Sequence, residues 1–262
     1  VSLKILFEME KITCKLCKLA ALFLLAVLPT GCMKIIGTET VKGSKTMVDN
    51  VYEESGFNEV CTDGQTRVVV TSGEGYSVKA HVPDNLQDYI IIKKKGDRLI
   101  VSNKSLNVKC AGKDFSPVVY VTLPTLKGIE SNGQSHMTLS GPVAEEFEAS
   151  ASGQSMIDAG DVKIKDADIS TSGQSRIKIG NINASGDVSL SSSGQSNISF
   201  KDLNAVEDVS LETSGQASLT GNNLVARDGS VKASGQSSIR INSVSGNFDA
   251  DVSGQASYRV DR

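Results

Sequence analysis

The chain has 262 residues, of which 39% are hydrophobic and 22% charged, so it is long enough to bury a core and is neither disordered nor fibrous. Its formal net charge is −3, from 27 Lys and Arg residues against 30 Asp and Glu residues, which argues against the basic surface of a nucleic-acid-binding protein. Only two histidines occur, which excludes a histidine-rich metal site.

The first segment has the features of a bacterial secretion signal. Residues 19–28, LAALFLLAVL, are ten apolar residues that follow several lysines, and the run is shorter than the roughly 20 residues of a membrane span. The run is followed by Pro29-Thr30-Gly31-Cys32, and a cysteine after a small residue at this place resembles a lipobox, where the cysteine is lipidated and becomes the mature N-terminus. Pro29 replaces the usual aliphatic residue, so secretion without lipidation and an uncleaved anchor are the alternatives. We predict a lipoprotein signal over residues 1–32, with the true start at residue 1 or at Met9.

The remaining cysteines separate by position. Cys14 and Cys17 lie in the predicted signal, so their spacing does not indicate a redox or zinc motif. Cys61 and Cys110 would mature in an oxidising compartment, where they either form a disulfide or remain two separate buried thiols. Between these groups, residues 33–50 are rich in Lys, Gly, Ser and Thr and are predicted to be a flexible tether.

Residues 51–131 contain strand-like segments at irregular spacing. The segments are RVVV (67–70), YSVKAHV (76–82), DYIIIKKK (88–95), RLIVS (98–102) and SPVVYVTLP (116–124). Turn signals rich in Gly, Pro, Asn and Asp separate the first four. We interpret this region as an N-terminal cap and irregular opening coils of the repeat that follows. A separate small antiparallel sheet is the alternative.

A Gly-Gln pair recurs throughout residues 132–262. Its glycines are separated by 20, 20, 21, 21, 20 and 19 residues, at Gly133, Gly153, Gly173, Gly194, Gly215, Gly235 and Gly254. Apolar and polar residues alternate on both sides of the pair, and this period of two is typical of a strand with one buried face. A third apolar row follows five of the glycines by nine residues, at Val162, Ile182, Leu203, Leu224 and Val244.

Three short strands in a coil of about 20 residues cannot bury their inner face alone, so neighbouring coils must stack. The repeat therefore predicts an all-β fold, a single-stranded parallel β-helix (β-solenoid), right-handed by the usual preference.

The glutamine of each pair is the candidate functional residue. If the alternation continues through the corner, seven side chains point outward in one row: Gln134, Gln154, Gln174, Gln195, Gln216, Gln236 and Gln255. Such a row can act as a structural ladder, with amides that bond from coil to coil. Alternatively, it is a planar strip that binds glycan hydroxyls. The residue two positions after each glycine is always Ser or Ala. This indicates a tight corner where the side chain must be small but needs no particular chemical group.

No catalytic constellation is recognisable in the sequence. Outward charges such as Asp158, Lys178, Arg240 and Arg259 occupy one repeat position in separate coils and do not form the paired carboxylates of a glycosidase. GxSxG, Walker and metal-ligand spacings are also missing from the sequence. We predict that the protein is not an enzyme and needs no cofactor or metal; a polysaccharide-processing β-helix enzyme is a minor alternative.

An ordered series of motifs resembles one known family. The motifs are GFNEV (56–60), VVVTSGEGYSVKAHVPDNL (68–86), GDRLIV (96–101), LPTLKGIESNGQS (123–135) and the serial SGQS coils. They are similar to the head GIN domain family of auto-transporter adhesin-like envelope proteins from Gram-negative bacteria, over residues 51–262. The resemblance implies a parallel β-helical body in the cell envelope and an adhesin-like role, with no defined ligand or catalytic residue.

These features together predict an outer-membrane lipoprotein, either surface-exposed or facing the periplasm. It would contact the membrane through its N-terminal lipid and present a rigid β-solenoid to a glycan or to a protein partner, with no nucleic-acid partner. The sequence stops at Arg262, about eight residues after the last Gly-Gln pair, so we expect little C-terminal cap. The alternative is therefore a periplasmic scaffold protein that forms homo-oligomers through its open solenoid end.

Overall fold

A computed structural model describes residues 40–104 and 107–261, and these residues form almost only β-strands. The predicted fold class is confirmed: the chain is a β-solenoid of about six turns with parallel pairing between strands about 20 residues apart. The predicted signal, with Cys32, lies outside the described residues. Within the described residues, no helix is long and apolar enough to cross a membrane.

The N-terminal half contains nine strands and two short 3-10 helices. The strands are β1 (Thr40–Lys42), β2 (Met47–Tyr52), β3 (Glu59–Thr62), β4 (Arg67–Ser72), β5 (Ser77–Pro83), β6 (Ile90–Lys95), β7 (Arg98–Asn103), β8 (Asn107–Lys109) and β9 (Val118–Leu123). The 3-10 helices are η1 (Asp84–Tyr89) and η2 (Lys113–Phe115).

The repeat region contains the other fifteen strands. They are β10 (Gly128–Ser131), β11 (His136–Ser140), β12 (Glu146–Ala151), β13 (Met156–Ala159), β14 (Val162–Ile164), β15 (Asp166–Thr171), β16 (Arg176–Ile179), β17 (Ile182–Ala184), β18 (Val188–Ser192), β19 (Asn197–Phe200), β20 (Asp202–Ala205), β21 (Val209–Thr213), β22 (Ser218–Ala233), β23 (Ser238–Val252) and β24 (Ser257–Val260).

The solenoid has three sides, which we call A, B and C. Side A holds the strands that end at the Gly-Gln corner, namely β3, β10, β12, β15, β18, β21 and the last parts of β22 and β23. Side B holds the strands that follow the corner, namely β4, β11, β13, β16, β19, the first parts of β22 and β23, and β24. Side C consists of β14, β17, β20 and the middle of β22 and β23.

Register is set by the apolar rows, since a shift of one residue would turn them outward. Ile157 pairs with Ile177 on side B, and Ile169 pairs with Leu190 on side A. All four side chains are buried. These rows form one continuous core, filled largely by Val, Ile, Leu and Ala. The whole core lies within the compact unit Glu39–Arg262, as in a domain with its own hydrophobic core.

The order of the coils in space differs from their order in the chain. Strands β3 and β4 form the side A and side B strands of one coil, which pairs with β10 and β11 in one direction and with β7 and β9 in the other. The segment 73–127 is therefore inserted between two coils that are neighbours in space. Beyond β7 and β9, the pairing becomes antiparallel, as β6 pairs with β7, β5 with β9, and β2 with β5. These antiparallel strands and η1, with buried Leu86 and Tyr89, cover the end of the core.

Part of the segment predicted to be a tether, residues 40–50, contains β-strands. Residues 40–50 are not an unstructured linker, because β1 pairs with β8 and β2 pairs with β5. Val41, Val48 and Tyr52 pack against the core. Their apolar surface is what attaches this segment to the solenoid, although its sequence has no regular apolar period.

Candidate functional site

The Gly-Gln corner has the same backbone geometry in every coil. Its glycine adopts a positive φ, for example +72° at Gly173 and +77° at Gly194. The backbone N–H of the following glutamine donates to the carbonyl oxygen of the glycine one coil earlier, at 2.7 Å for Gln195 to Gly173. A Cβ on Gly194 would lie 2.9 Å from that oxygen. Glycine is therefore required here by both the positive φ and the close approach of the coils.

The glutamine side chains form a continuous ladder. Each donates from Nε2 to the Oε1 of the next glutamine, with N–O distances of 2.8 to 3.1 Å. The row faces solvent. We call this row the glutamine ladder; it consists of Gln65, Gln134, Gln154, Gln174, Gln195, Gln216, Gln236 and Gln255.

Gln65 is a member that the sequence interpretation missed. Its coil carries the string TDGQT rather than SGQS, and 69 residues separate it from Gln134. At this end Asn103 replaces the glycine carbonyl of a preceding coil, because its Oδ1 accepts the backbone N–H of Gln65 at 2.6 Å. Tyr89 holds Asn103 in place by accepting a hydrogen bond from its Nδ2 at 2.6 Å.

The ladder leaves part of each amide free for a ligand. A glutamine side chain has two N–H donors and two lone pairs on its oxygen, and the ladder uses one of each inside the row. The remaining donor and acceptor face solvent in each inner coil. The four residues at each corner are uncharged in every coil except the first, which has Asp63 before its glycine. The corner is therefore a neutral strip of donors and acceptors repeated at the strand spacing of about 4.8 Å.

Hydroxyl groups fill the inner side of the same corner. Thr171 Oγ1 bonds to Ser192 Oγ at 2.8 Å and to Ser196 Oγ at 2.9 Å, and all three residues are buried. In a neighbouring coil, Ser155 donates to the carbonyl oxygen of Ser131 at 2.6 Å. Each of these buried serines has the partner that a buried hydroxyl needs, while Ala217 is buried at the equivalent position of another coil.

The two cysteines do not form a disulfide in the structure; Cys61 and Cys110 are free thiols. Cys61 is buried on β3, and burial raises the pKa of its thiol to about 11, with a further contribution from the nearby Glu130 carboxylate. Cys110 lies close to Gly43. The alternative of two separate thiols therefore describes this structure.

The outward charges singled out in the sequence lie along side B. Asp158 pairs in register with Lys178, and Arg240 pairs with Arg259. Asp158 Oδ2 accepts a hydrogen bond from His136 Nε2 at 2.8 Å. Both arginines bond to Asp261, Arg240 at 2.6 Å and Arg259 at 2.5 Å. Across the residues that the structure describes, no group of three or more His, Cys, Asp or Glu side chains is arranged to hold a metal ion.

Comparison with known proteins identifies a family and a fold. The family described as "Putative auto-transporter adhesin, head GIN domain" matches residues 56–261. A solved structure titled as a putative adhesin from Parabacteroides distasonis ATCC 8503 is 18% identical, with a TM-score of 0.65, and the match covers 84% of this chain and 100% of that chain. A putative adhesin from Bacteroides fragilis NCTC 9343 is 18% identical with a TM-score of 0.54, over 81% of this chain and 97% of that one.

A third structure is titled as a putative lipid binding protein from Parabacteroides distasonis ATCC 8503. It is 13% identical, with a TM-score of 0.58, over 84% of this chain and 98% of that one. At these identities the likeness shows the fold alone. The search of curated proteins gives no match.

Proposed function

Since this chain belongs to the auto-transporter adhesin-like, head GIN domain family, we propose that it is a cell-envelope protein whose solenoid binds glycan through the glutamine ladder. Lipidation at Cys32 would hold it at the outer membrane, and the residues between Cys32 and β1 would form the remaining tether. The proposed role is adhesion, with no chemical reaction at the site.

One observation supports this proposal above the others: the corner is long, exposed and uncharged, and its amides are already held in place. Glycan hydroxyls both donate and accept hydrogen bonds, as the free half of each ladder amide does. A ligand would not have to order these side chains, because each inner amide is already bonded to two neighbours. Because the amides repeat along the solenoid, several weak contacts with one glycan would act together and raise its overall affinity.

The ligand test is a glycan array probed with residues 33–262, followed by the double variant Gln174→Ala/Gln195→Ala. The matched control is Asn183→Ala/Asn204→Ala on side C, where Asn204 Nδ2 donates to Asn183 Oδ1 at 3.2 Å. Both variants remove an exposed amide pair from adjacent coils, but only the first lies on the ladder. We expect the ladder variant to lose glycan binding and the side C variant to keep it. Equal binding by both variants would contradict the proposal.

Location is tested on intact cells with added protease and a periplasmic control protein. Degradation is expected if the solenoid faces outward, whereas full protection would contradict an adhesive role at the cell surface. Replacement of Cys32 by alanine should abolish incorporation of labelled fatty acid. Unchanged labelling would contradict the lipid anchor without bearing on the ligand.

A further inference from the structure

Side A carries a strongly acidic groove. A concavity of about 1020 Å³ crosses successive coils, and a smaller one of about 240 Å³ continues it towards the N-terminal cap. Glu148 and Asp168 line both. The two cationic residues in the lining are Arg98 and Lys165. The carboxylates in the lining are Glu59, Glu130, Glu146, Glu148, Asp166, Asp168, Asp187, Glu207, Asp208 and Asp228. Arg227, outside the lining, forms ion pairs with Glu207, Asp208 and Asp228, so the formal net charge with this third cation is −7. We call this surface the acidic groove.

Side B has the opposite charge. Its outward positions lie in one register from the cap strands to β24. The acidic residues here are Asp49, Asp158 and Asp261, so the formal net charge is +3 with the six cations Arg67, Lys79, Arg176, Lys178, Arg240 and Arg259. We call this surface the basic face. The acidic groove lies along the first residues of the side A strands and the turns before them, whereas the basic face lies on side B, which follows side A after the Gly-Gln corner.

Each surface keeps charges that the fold does not neutralise. Glu148 and Asp168 are exposed neighbours in adjacent coils, and Arg176 and Lys178 are exposed on a single coil. Among the residues that the structure describes, none of these four takes part in an ion pair. Like charges one strand spacing apart repel each other, and a surface of opposite charge would relieve that repulsion.

We propose that copies of this chain associate side by side, with the acidic groove of one solenoid against the basic face of the next. Both surfaces follow the coil spacing of about 4.8 Å. Two copies with parallel axes would therefore stay in register over many coils, which a partner with another repeat would not do. Charge complementarity of this kind specifies orientation and partner. Because the contact joins two different surfaces, it would extend into a row of solenoids rather than close as a dimer.

The test is sedimentation of residues 33–262 as a function of salt concentration, with two charge-reversed variants. Wild-type protein should associate at about 0.01 M NaCl and dissociate towards about 1 M, as the Debye length falls from about 30 Å to about 3 Å. Glu148→Lys/Asp168→Lys and Arg176→Glu/Lys178→Glu should each lower the association constant roughly tenfold or more. Mixing the two variants should restore association, because a reversed groove then meets a reversed basic face.

Lys163→Glu/Lys201→Glu is the matched control, with Lys163 on side C and Lys201 in the bend between β19 and β20, since it changes the net charge by the same amount as the basic-face variant. It should associate like the wild type. A wild type that stays monomeric at low salt would overturn the proposal, and so would a mixture that fails to associate. If monomeric wild type instead bound an oligolysine peptide and the groove variant did not, the occupant of the groove would be a cationic partner and self-association would be refuted. None of these results depends on glycan binding.

Discussion

Replacement of Gly194 by alanine should lower the free energy of unfolding by about 2–3 kcal/mol. Its φ of +77° lies in the left-handed region, which costs an alanine about 1–2 kcal/mol. The new Cβ would also lie 2.9 Å from the carbonyl oxygen of Gly173. The coils must separate by a few tenths of an ångström to relieve this contact, which stretches the 2.7 Å bond from Gln195 N to the same oxygen. Weakening that bond costs about another 1 kcal/mol.

Gly75→Ala separates the two contributions. Gly75 has a φ of +81°, and no atom lies within 4 Å of an added Cβ. This variant therefore bears the conformational cost but not the contact, and its free energy of unfolding should fall by only about 1–2 kcal/mol.

Urea unfolding followed by circular dichroism gives both values, and equal m-values would confirm that the comparison is between similar unfolding reactions. Hydrogen exchange at the Gln195 amide should accelerate in Gly194→Ala and stay unchanged in Gly75→Ala, because only the first disturbs its acceptor. If the two variants differed by less than about 0.5 kcal/mol, close approach of the coils would not be what requires glycine at the corner.

Three further predictions concern buried and charged groups. The Cys61 thiol has its pKa raised from 9.0 to about 11 by burial, so this group's contribution to stability should be lost as the pH rises through this range, and native Cys61 should resist alkylation at pH 8. Thr171→Val should lower the free energy of unfolding by about 1–2 kcal/mol in urea, because Ser192 and Ser196 lose a buried partner. The hydrogen bond from Arg240 lowers the pKa of Asp261. The stability that this pair contributes is therefore present above pH 3.8 and should be lost as the pH falls below it. In acid unfolding curves, Asp261→Asn should lack this pH-dependent loss.

The coil spacing and the inward rows were predictable because both depend on local pattern. In a strand with one buried face, apolar and polar side chains must alternate. The length of a coil then sets the number of residues after which each apolar position recurs, and Ile157, Ile177 and Ile198 lie in register in successive coils for this reason. The coil formed by β3 and β4 was not predictable in the same way. Periodicity assumes that coils follow one another in the chain, whereas this coil is followed by the insertion 73–127 before its spatial neighbour begins.

The outward orientation of the glutamines followed from strand parity, but the hydroxyls inside the corner did not. Ser and Ala alternate there without visible rule, because the partners come from different coils. Thr171 contacts Ser196, 25 residues later, while Ser175 donates to the carbonyl oxygen of Ala151, 24 residues earlier. Only the three-dimensional stack shows which hydroxyl has a partner and so where a serine is needed.

The glutamine side chain and its backbone do different work at the corner. The backbone N–H of Gln195 bonds to Gly173, and an alanine there would make the same bond. The side chain adds two exposed amide bonds, at 3.0 Å from Gln174 and 3.1 Å to Gln216, which together contribute about 1 kcal/mol. Gln195→Ala should therefore leave the solenoid folded and slightly less stable. If the ladder binds glycan, the same variant should weaken binding in protein that is fully folded at the assay temperature. If the ladder only ties the coils together, glycan binding by the variant should fall only as far as its folded fraction falls. Measuring both glycan binding and the folded fraction of Gln195→Ala therefore distinguishes the two roles.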